Sequence, residues 1–532
     1  MTLRAQWAGN YSTSRRTAPL LSILFGIALL AGCATTGGAP KDTESSTLTL
    51  ATGFTIDNLD PLKNGIWGPE FGYIELLMHP ERDAEPSPWL LSELSNPDQR
   101  TWKLTLRQGI EFGNGQPLDA EALAELLTFQ LDRNEDFSTA LPGATAQVSG
   151  TRQVTLTTEK PAPNVPNLLA DEAMVPVYDV ASYREHRKSG KDASELIGSG
   201  IYTGPYQVQQ LDDRALRMTA NEEYWNGTPA LEEVTVRFVP EESARIQAVQ
   251  NGEADIALYP PVDSAPTLRE RDDSYYVTGE PVSPTFMLEL NHRVPPFDDP
   301  RVRRAVYAGI DYKGLADDVM NGNYEPAFGL YTKHQPWALR TQQTNLDQAR
   351  SLLDEAGWTT SDDGKRRRNG KPLSFTMLTY PAQPDSRTLA VAVQSQLQEL
   401  GVTVEVKQVP DIVSAMEENP RGWGAATRGN GFISFGGDYI TPLVNYLHSD
   451  GPSNLSGISD PTLDTLINKV GVEFDTDDRN TLLRKVQRRV AKKGHLGYLG
   501  IRLPPVVTNQ QWRDYSVPIA NMWVDADTSP DG

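Results

Sequence analysis

Cysteine is almost absent from this chain: Cys33 is the single one in 532 residues. That excludes a disulfide framework and a cysteine-rich zinc cluster. Histidine is scarce as well. His79, His186, His292, His334, His448 and His495 are scattered, with no i,i+4 pair to set two imidazoles on one helix face for a metal. Long apolar runs are missing. The best, Leu20 to Ala31, has about 12 residues, against roughly 20 for a spanning helix. Positive charge is in deficit. Residues 1–32 hold three of the 49 basic residues and no acid, so 46 basic residues face 70 acids beyond them. Such a balance repels nucleic acid and anionic headgroups, so neither is expected as a partner of the body. Catalytic signatures are missing too. There is no GxSxG elbow and no HExxH, and the carboxylates are too many for one pair to stand out. The glycine-rich stretch Gly198 to Tyr206 lacks the Lys-Ser/Thr of a phosphate-cradling loop and does not fit GxGxxG. No cofactor and no enzymatic activity are expected, and an exported hydrolase is kept only as a remote alternative.

What is present begins at the N-terminus. Arg4, Arg15 and Arg16 precede the apolar run, no acid occurs before Asp42, and Leu30-Ala31-Gly32-Cys33 follows. Positive, apolar and small-residue regions in that order make a secretory signal. The tetrapeptide looks like a bacterial lipobox, in which Cys33 is lipidated and becomes the mature N-terminus. Residues 1–32 are then the signal peptide. Residues 33–46 are a lipid-anchored tether, small and polar, with a reach of roughly 20 Å. Ser14-Arg15-Arg16 leaves export by the general or the twin-arginine route open.

Helix and strand patterns mix along the body, which gives an α/β fold class. Thr101 to Arg107 alternates as a strand, and Asp119 caps a helix over about 120–133. Alternating stretches at 153–158, 206–211, 215–220 and 234–238 predict further strands. Asp299 with Pro300 at N1 opens a helix, and Leu346 to Ala356 ends at Gly357. A helix over 389–400 followed by a strand over 402–406 forms one α/β unit. Helices are also expected at 460–470 and 477–491. Lys365 to Arg368, between two turn dipeptides, predicts a solvated hairpin tip.

Six motifs stand in order along this pattern. They are Leu106-Arg107-Gln108-Gly109-Ile110-Glu111-Phe112 with Asn114 to Leu118; Thr203-Gly204-Pro205-Tyr206; Asn221 to Gly227 with Tyr224-Trp225; Gly252 to Ile256; Asn291 with Pro295 to Ala305; and Ala349 to Trp358. With them, Thr47 to about Val524 resembles the family 5 extracellular solute-binding proteins, receptors of peptide and nickel ABC importers. Tyr202 stands where the family's leading glycine would be.

The resemblance implies a two-lobed periplasmic-binding-protein-like fold with an extra domain inserted in the first lobe. Mapped here, the central lobe is 47–77, 196–283 and 500–532, the inserted domain 78–195 and the closing lobe 284–499. It implies capture of oligo- or dipeptides in the interlobe cleft and delivery to the permease subunits of an importer, by a monomer held to the membrane at Cys33 on its extracytoplasmic face. A nickel or metallophore chelate is the alternative ligand, for which His448 or His334 could serve. The expected ligand-facing segment is 421–446, where glycines and aromatics mix with little periodicity. Within it Trp423, Phe432 and Tyr439 offer flat walls, and Asn430 offers an amide. Asp438 matches the aspartate that pairs with a peptide amine in the family, although Tyr439 replaces the usual proline. Arg428 is the candidate for a ligand carboxylate.

Overall fold

The computed structural model describes residues 46–191, 196–281, 283, 285–381, 383–429, 431–434 and 436–530. The signal segment, Cys33 and the tether up to Ser45 lie outside the described residues. The chain folds into two lobes of mixed α/β structure.

A seven-stranded sheet forms the first lobe. Its middle strand, Thr47–Thr52, runs parallel to Glu233–Phe238 on one side and to Ile256–Leu258 on the other. Ala215–Ala220 and Tyr206–Leu211 extend one edge, and Pro505–Thr508 and Tyr275–Thr278 the other. Alternation along Thr47–Thr52 sends Leu48 and Leu50 into the large core. Ala51 faces the opposite side, where it meets Ala248, Val249 and Leu268.

Residues 91–157 carry a separate four-stranded antiparallel sheet, ordered Leu91–Asp98, Thr101–Leu106, Gln153–Thr157, Thr145–Gly150. The helix Ala120–Arg133 covers it. Asp119 caps that helix, accepting from the backbone N–H of Glu121 and Ala122 at 3.0 Å each. Trp102, Leu104 and Leu106 point into the same core as Leu48 and Val236, so this sheet and the seven-stranded one share one apolar interior.

The second lobe is built on a five-stranded sheet, ordered Thr403–Gln408, Ser374–Thr379, Ala425–Gly429, Phe286–Leu290, Gly497–Tyr498. Five longer helices pack around it: Pro300–Ala308, Leu346–Glu355, Pro384–Gln398, Pro461–Val470 and Thr476–Lys493. Asp299 caps the first of these through the Arg301 N–H at 2.8 Å. The hairpin around Arg366–Arg368 differs from the sequence expectation. Arg366 is buried, donating to the carbonyls of Trp358 and Leu400 and to Asp354, and Arg368 lies over the Trp358 ring at 4.6 Å. The long arginine stems cover apolar surface that the sequence pattern could not show.

Two segments cross between the lobes among the described residues, near residues 279–281 and 499–504. Gly279 N–H donates to the Pro504 carbonyl at 2.9 Å, and Arg502 N–H to Thr285 Oγ1 at 3.1 Å. A Cβ on Gly279 would come within 2.7 Å of Val517, so this crossing needs glycine. Among the described residues no helix is long and apolar enough to cross a membrane.

Candidate functional site

The segment that the sequence singled out, 421–446, divides into three parts. Ala425–Gly429 is a strand, residues 431–434 and 436–438 are in a loop, called loop 431–438 below for its described residues, and Ile440–Leu447 is a helix. The strand showed no alternation because it is central: Ala425 and Thr427 face one side, Ala426 and Arg428 the other, and all four are buried. The expectation of one ligand-facing stretch is corrected there. Trp423 packs into a small core of Leu378, Val409, Ile412, Met416 and Ala426, rather than walling a cleft. Arg428 is not available as expected either. Its guanidinium meets Glu289 at 2.6 Å with both side chains almost fully buried, and it lies over the Tyr446 ring at 5.1 Å. Removing one partner of such a pair leaves an uncompensated charge in the interior.

The loop 431–438 is where the second lobe touches the first. Gly436 N–H donates to Asp171 Oδ2 at 3.4 Å, and Asn167 Nδ2 donates to the Gly436 carbonyl at 3.2 Å. Asn164 Nδ2 donates to Asp438 Oδ2 at 3.3 Å. Backbone approach here is close: a Cβ on Gly436 would overlap the Asn167 carbonyl oxygen. Asp438 also caps the helix Ile440–Leu447, its Oδ1 accepting from Ile440 N–H at 2.8 Å and Thr441 N–H at 3.3 Å. Burial pushes its carboxyl above the usual range, and the hydrogen bonds hold it back.

Tyr439 lies against Trp337 with centroids 4.7 Å apart, and the Arg479 guanidinium sits 5.9 Å over its ring. Arg479 in turn reaches Glu85 of the first lobe at 3.1 Å. Nearby, Gln335 Nε2 donates to the Arg82 carbonyl at 3.0 Å. Phe432 is fully buried between Tyr446 and Tyr498. Asn430 lies outside the described residues.

Behind this contact the first lobe buries further acids that the sequence reading did not single out. Asp171 and Glu172 follow the short helix Val165–Leu169, beyond its C-cap Ala170, and Glu70 lies on the helix Trp67–Phe71. All three are buried. Among the described residues no lysine, arginine or histidine comes within 4.0 Å of them in an ion pair. Burial pushes Glu70 up to about 8, against the smaller opposing influence of the Asn521 and Trp523 side chains. It also raises Glu172 well above the usual range, with the charges of Glu70 and Asp171 adding to the effect. Among the described residues, Glu70 Oε2, Tyr73 Oη and Trp523 Nε1 have no partner within hydrogen-bond distance. An unmade buried bond of this kind costs about 1–3 kcal/mol. Tyr259 stands in the field of Glu70, Glu172 and Arg502. The one local signal was the acid pair Asp171-Glu172 inside the apolar run Leu168 to Val175.

Elsewhere the hollow of about 360 Å³ between Arg304, Tyr307, Gln342 and Lys492 lies within the second lobe and includes none of these residues. Among the described residues no group of three or more His, Cys, Asp or Glu is placed to hold a metal ion.

Comparison with known proteins gives the same architecture. Residues 85–452 match the model of the bacterial extracellular solute-binding proteins, family 5 middle region. The nickel-binding protein NikA of Staphylococcus aureus is 22% identical over 503 residues, 94% of this chain and 96% of that protein. The periplasmic oligopeptide-binding protein OppA of Escherichia coli is 24% identical, over 84% of this chain and 86% of its own length. A crystal structure of a nickel ABC transporter protein from Bacillus halodurans superposes with a TM-score of 0.74 at 25% identity, covering 90% of this chain and 99% of that one.

Proposed function

Because this chain belongs to the bacterial extracellular solute-binding proteins of family 5, we propose that it captures oligo- or dipeptides between its lobes and delivers them to the permease of an ABC importer. The observation that carries this reading is the seating of loop 431–438 on Asn164, Asn167 and Asp171. Contacts to both lobes at once are what make closure depend on a bound solute, since equal affinity for open and closed states shifts nothing. The two crossing segments are the natural hinge for that motion. Buried acids without a cation beside this seam suit the free amine of a peptide.

Asp438 takes part as a latch: its second oxygen receives Asn164 across the seam, while the first holds the helix that follows. Tyr439 and Phe432 keep the loop in place through Trp337 and Tyr498. Cys33, lipidated, holds the protein on the extracytoplasmic face of the membrane, and the residues up to Ser46 act as its tether. Several acyl chains at one cysteine hold stably where one does not. The relatives NikA, named for nickel, and OppA, named for oligopeptides, favour one chelate reading and one peptide reading of the same cleft.

Native mass spectrometry of protein purified without denaturation separates the two. A co-purifying mixture of peptides is expected. A nickel isotope pattern, with no peptide masses, overturns the peptide reading in favour of the chelate.

A further inference from the structure

In a chain with 70 acidic and 49 basic residues, the hollow of about 360 Å³ in the second lobe is lined by two cations and by no acid. Helix ends bring it together. Pro300–Ala308 supplies Arg304, the last turn of Thr476–Lys493 supplies Lys492, and the start of Leu346–Glu355 supplies Gln348, with Gln343 from the coil before it. Gly494 permits the first two to approach, since a Cβ there would come within 3.0 Å of the Arg304 backbone nitrogen. Among the described residues no ion pair or hydrogen bond engages the side chains of Arg304, Lys492, Gln343 and Gln348. A basic residue in the last turn of a helix ordinarily answers the exposed carbonyls there. Here buried Arg303 does so, Nε donating to the Gly494 carbonyl at 3.0 Å and Nη2 to the Lys493 carbonyl at 2.8 Å. The Lys492 ammonium is left to the hollow. The base of the hollow is apolar and fixed. Leu330, Val490 and Leu496 line it and are 5% exposed or less. Gln342 is held by the Tyr498 backbone through two bonds of 2.9 Å, and the Tyr307 hydroxyl donates to the Leu288 carbonyl at 2.9 Å.

We propose that this hollow is a second binding site, for a small aliphatic dicarboxylate. Arg304 and Lys492 take the two carboxylates, Gln343 and Gln348 donate to them, and the carbon chain lies on Leu330, Val490 and Leu496. No residue of the lobe seam lines the hollow, so the site is additional to solute capture and does not depend on what the seam binds. Each part fits such a ligand. Two like charges beside one hollow repel, and a dianion removes that repulsion. A guanidinium matches a carboxylate with two parallel N–H donors. The aliphatic base favours methylenes and disfavours a fully hydrated inorganic anion. The volume stands at the small end of the range for small-molecule sites, about 300–1,000 Å³, which suits a short diacid. A cationic peptide meets like charge there and is turned away.

Calorimetric titration of the full-length protein, stripped of bound solute by dialysis, tests this with glutarate, its neutral diamide glutaramide, and inorganic phosphate. Glutarate is expected to bind saturably, at least ~10-fold tighter than either of the others. Arg304→Gln and Lys492→Gln should each weaken glutarate at least ~5-fold. Far-UV circular dichroism checks that each variant is folded, and Lys492→Gln, at an exposed position, decides the matter if Arg304→Gln is not. No saturable glutarate binding, a smaller preference over either probe, or an affinity unchanged in a folded Lys492→Gln overturns the proposal. Small-angle X-ray scattering and trilysine, a cationic probe of the seam, fix the location. Glutarate should leave the lobes uncompacted and trilysine affinity unchanged. Glutarate that compacts the lobes or displaces trilysine binds at the seam, and the hollow is then not its site. Failure of trilysine to bind counts against peptide capture, while the glutarate outcomes still decide the hollow.

Discussion

Asp438 serves two elements with one side chain. Oδ1 fixes the first turn of Ile440–Leu447, and Oδ2 meets Asn164 of the other lobe. If the latch is real, Asp438→Ala and Asn164→Ala each weaken trilysine binding, and the double variant weakens it by less than the sum. A coupling of about 0.5–3 kcal/mol from that cycle is the expected value for groups in direct contact, and zero coupling overturns the latch. A second residue-scale outcome concerns acid. His495 is buried, stacks on His292 at 5.3 Å and bonds Asp460 Oδ2 through Nε2 at 2.9 Å. Burial pushes it down to about 4, against the favourable pull of Asp460. Burial opposes ionisation of Asp460 too, but hydrogen bonds from Arg489 and His495 hold its carboxyl well below the usual range. The folded chain refuses a proton on His495 that the unfolded chain accepts below about 6.5. Stability from that histidine is complete above pH 6.5 and is lost as pH falls toward 4, amounting to ~3 kcal/mol. Denaturant melts at pH 7.5, 6 and 4.5 should show the decline, and His495→Gln should flatten it.

At the scale of elements, the loop 431–438 carries the lobe contact, and glycine makes it possible. Gly437 has a φ of +84°, in the left-handed region that favours glycine, and Gly436 admits the Asn167 backbone. Gly436→Val is therefore expected to hold the lobes apart. Trilysine binding should weaken at least ~10-fold, and scattering should show no compaction on adding trilysine. Compaction equal to that of the unaltered protein would count against the seam described here. The strand that precedes this loop shows why 421–446 was only partly legible. A strand buried on both faces loses its alternation, so Ala425-Ala426-Thr427 carries no strand signal, and nothing local to Arg428 announces its partner Glu289. The helices with local signals were readable to the residue or nearly so. Asp119 before Ala120–Arg133 and Asp299-Pro300 before Pro300–Ala308 needed no distant partner to be recognised.

Across the whole molecule the negative excess is −21 for the full chain. Long-range attraction then steers a cationic solute and leaves a neutral one alone. Stopped-flow association of trilysine should slow between 20 mM and 300 mM NaCl, roughly 10-fold, while N-acetyltrialanine keeps its rate. Screening acts within about 10 Å at 0.1 M salt, so a salt-independent trilysine rate would overturn long-range steering. The hinge also belongs to this scale. Gly279 with Pro504, and Thr285 with Arg502, far apart in the chain, lie side by side at the two crossings between the lobes.

The sequence by itself determined the α/β class, most helix starts and the family, because each rests on local chemistry: caps, alternation and short motifs. It also pointed to residues 421–446 through their mix of glycines and aromatics. Only the tertiary structure decided which side chains meet. Arg304, Gln342 and Lys492 come from three separate parts of the chain to line one hollow, and nothing near any of them in sequence announces the others. Arg428 and Trp423 went the other way, from candidate ligand residues to internal packing. The reason is physical: burial and the charge of a neighbour across the fold set whether a carboxylate or guanidinium is satisfied, and neither quantity exists until the chain has closed on itself.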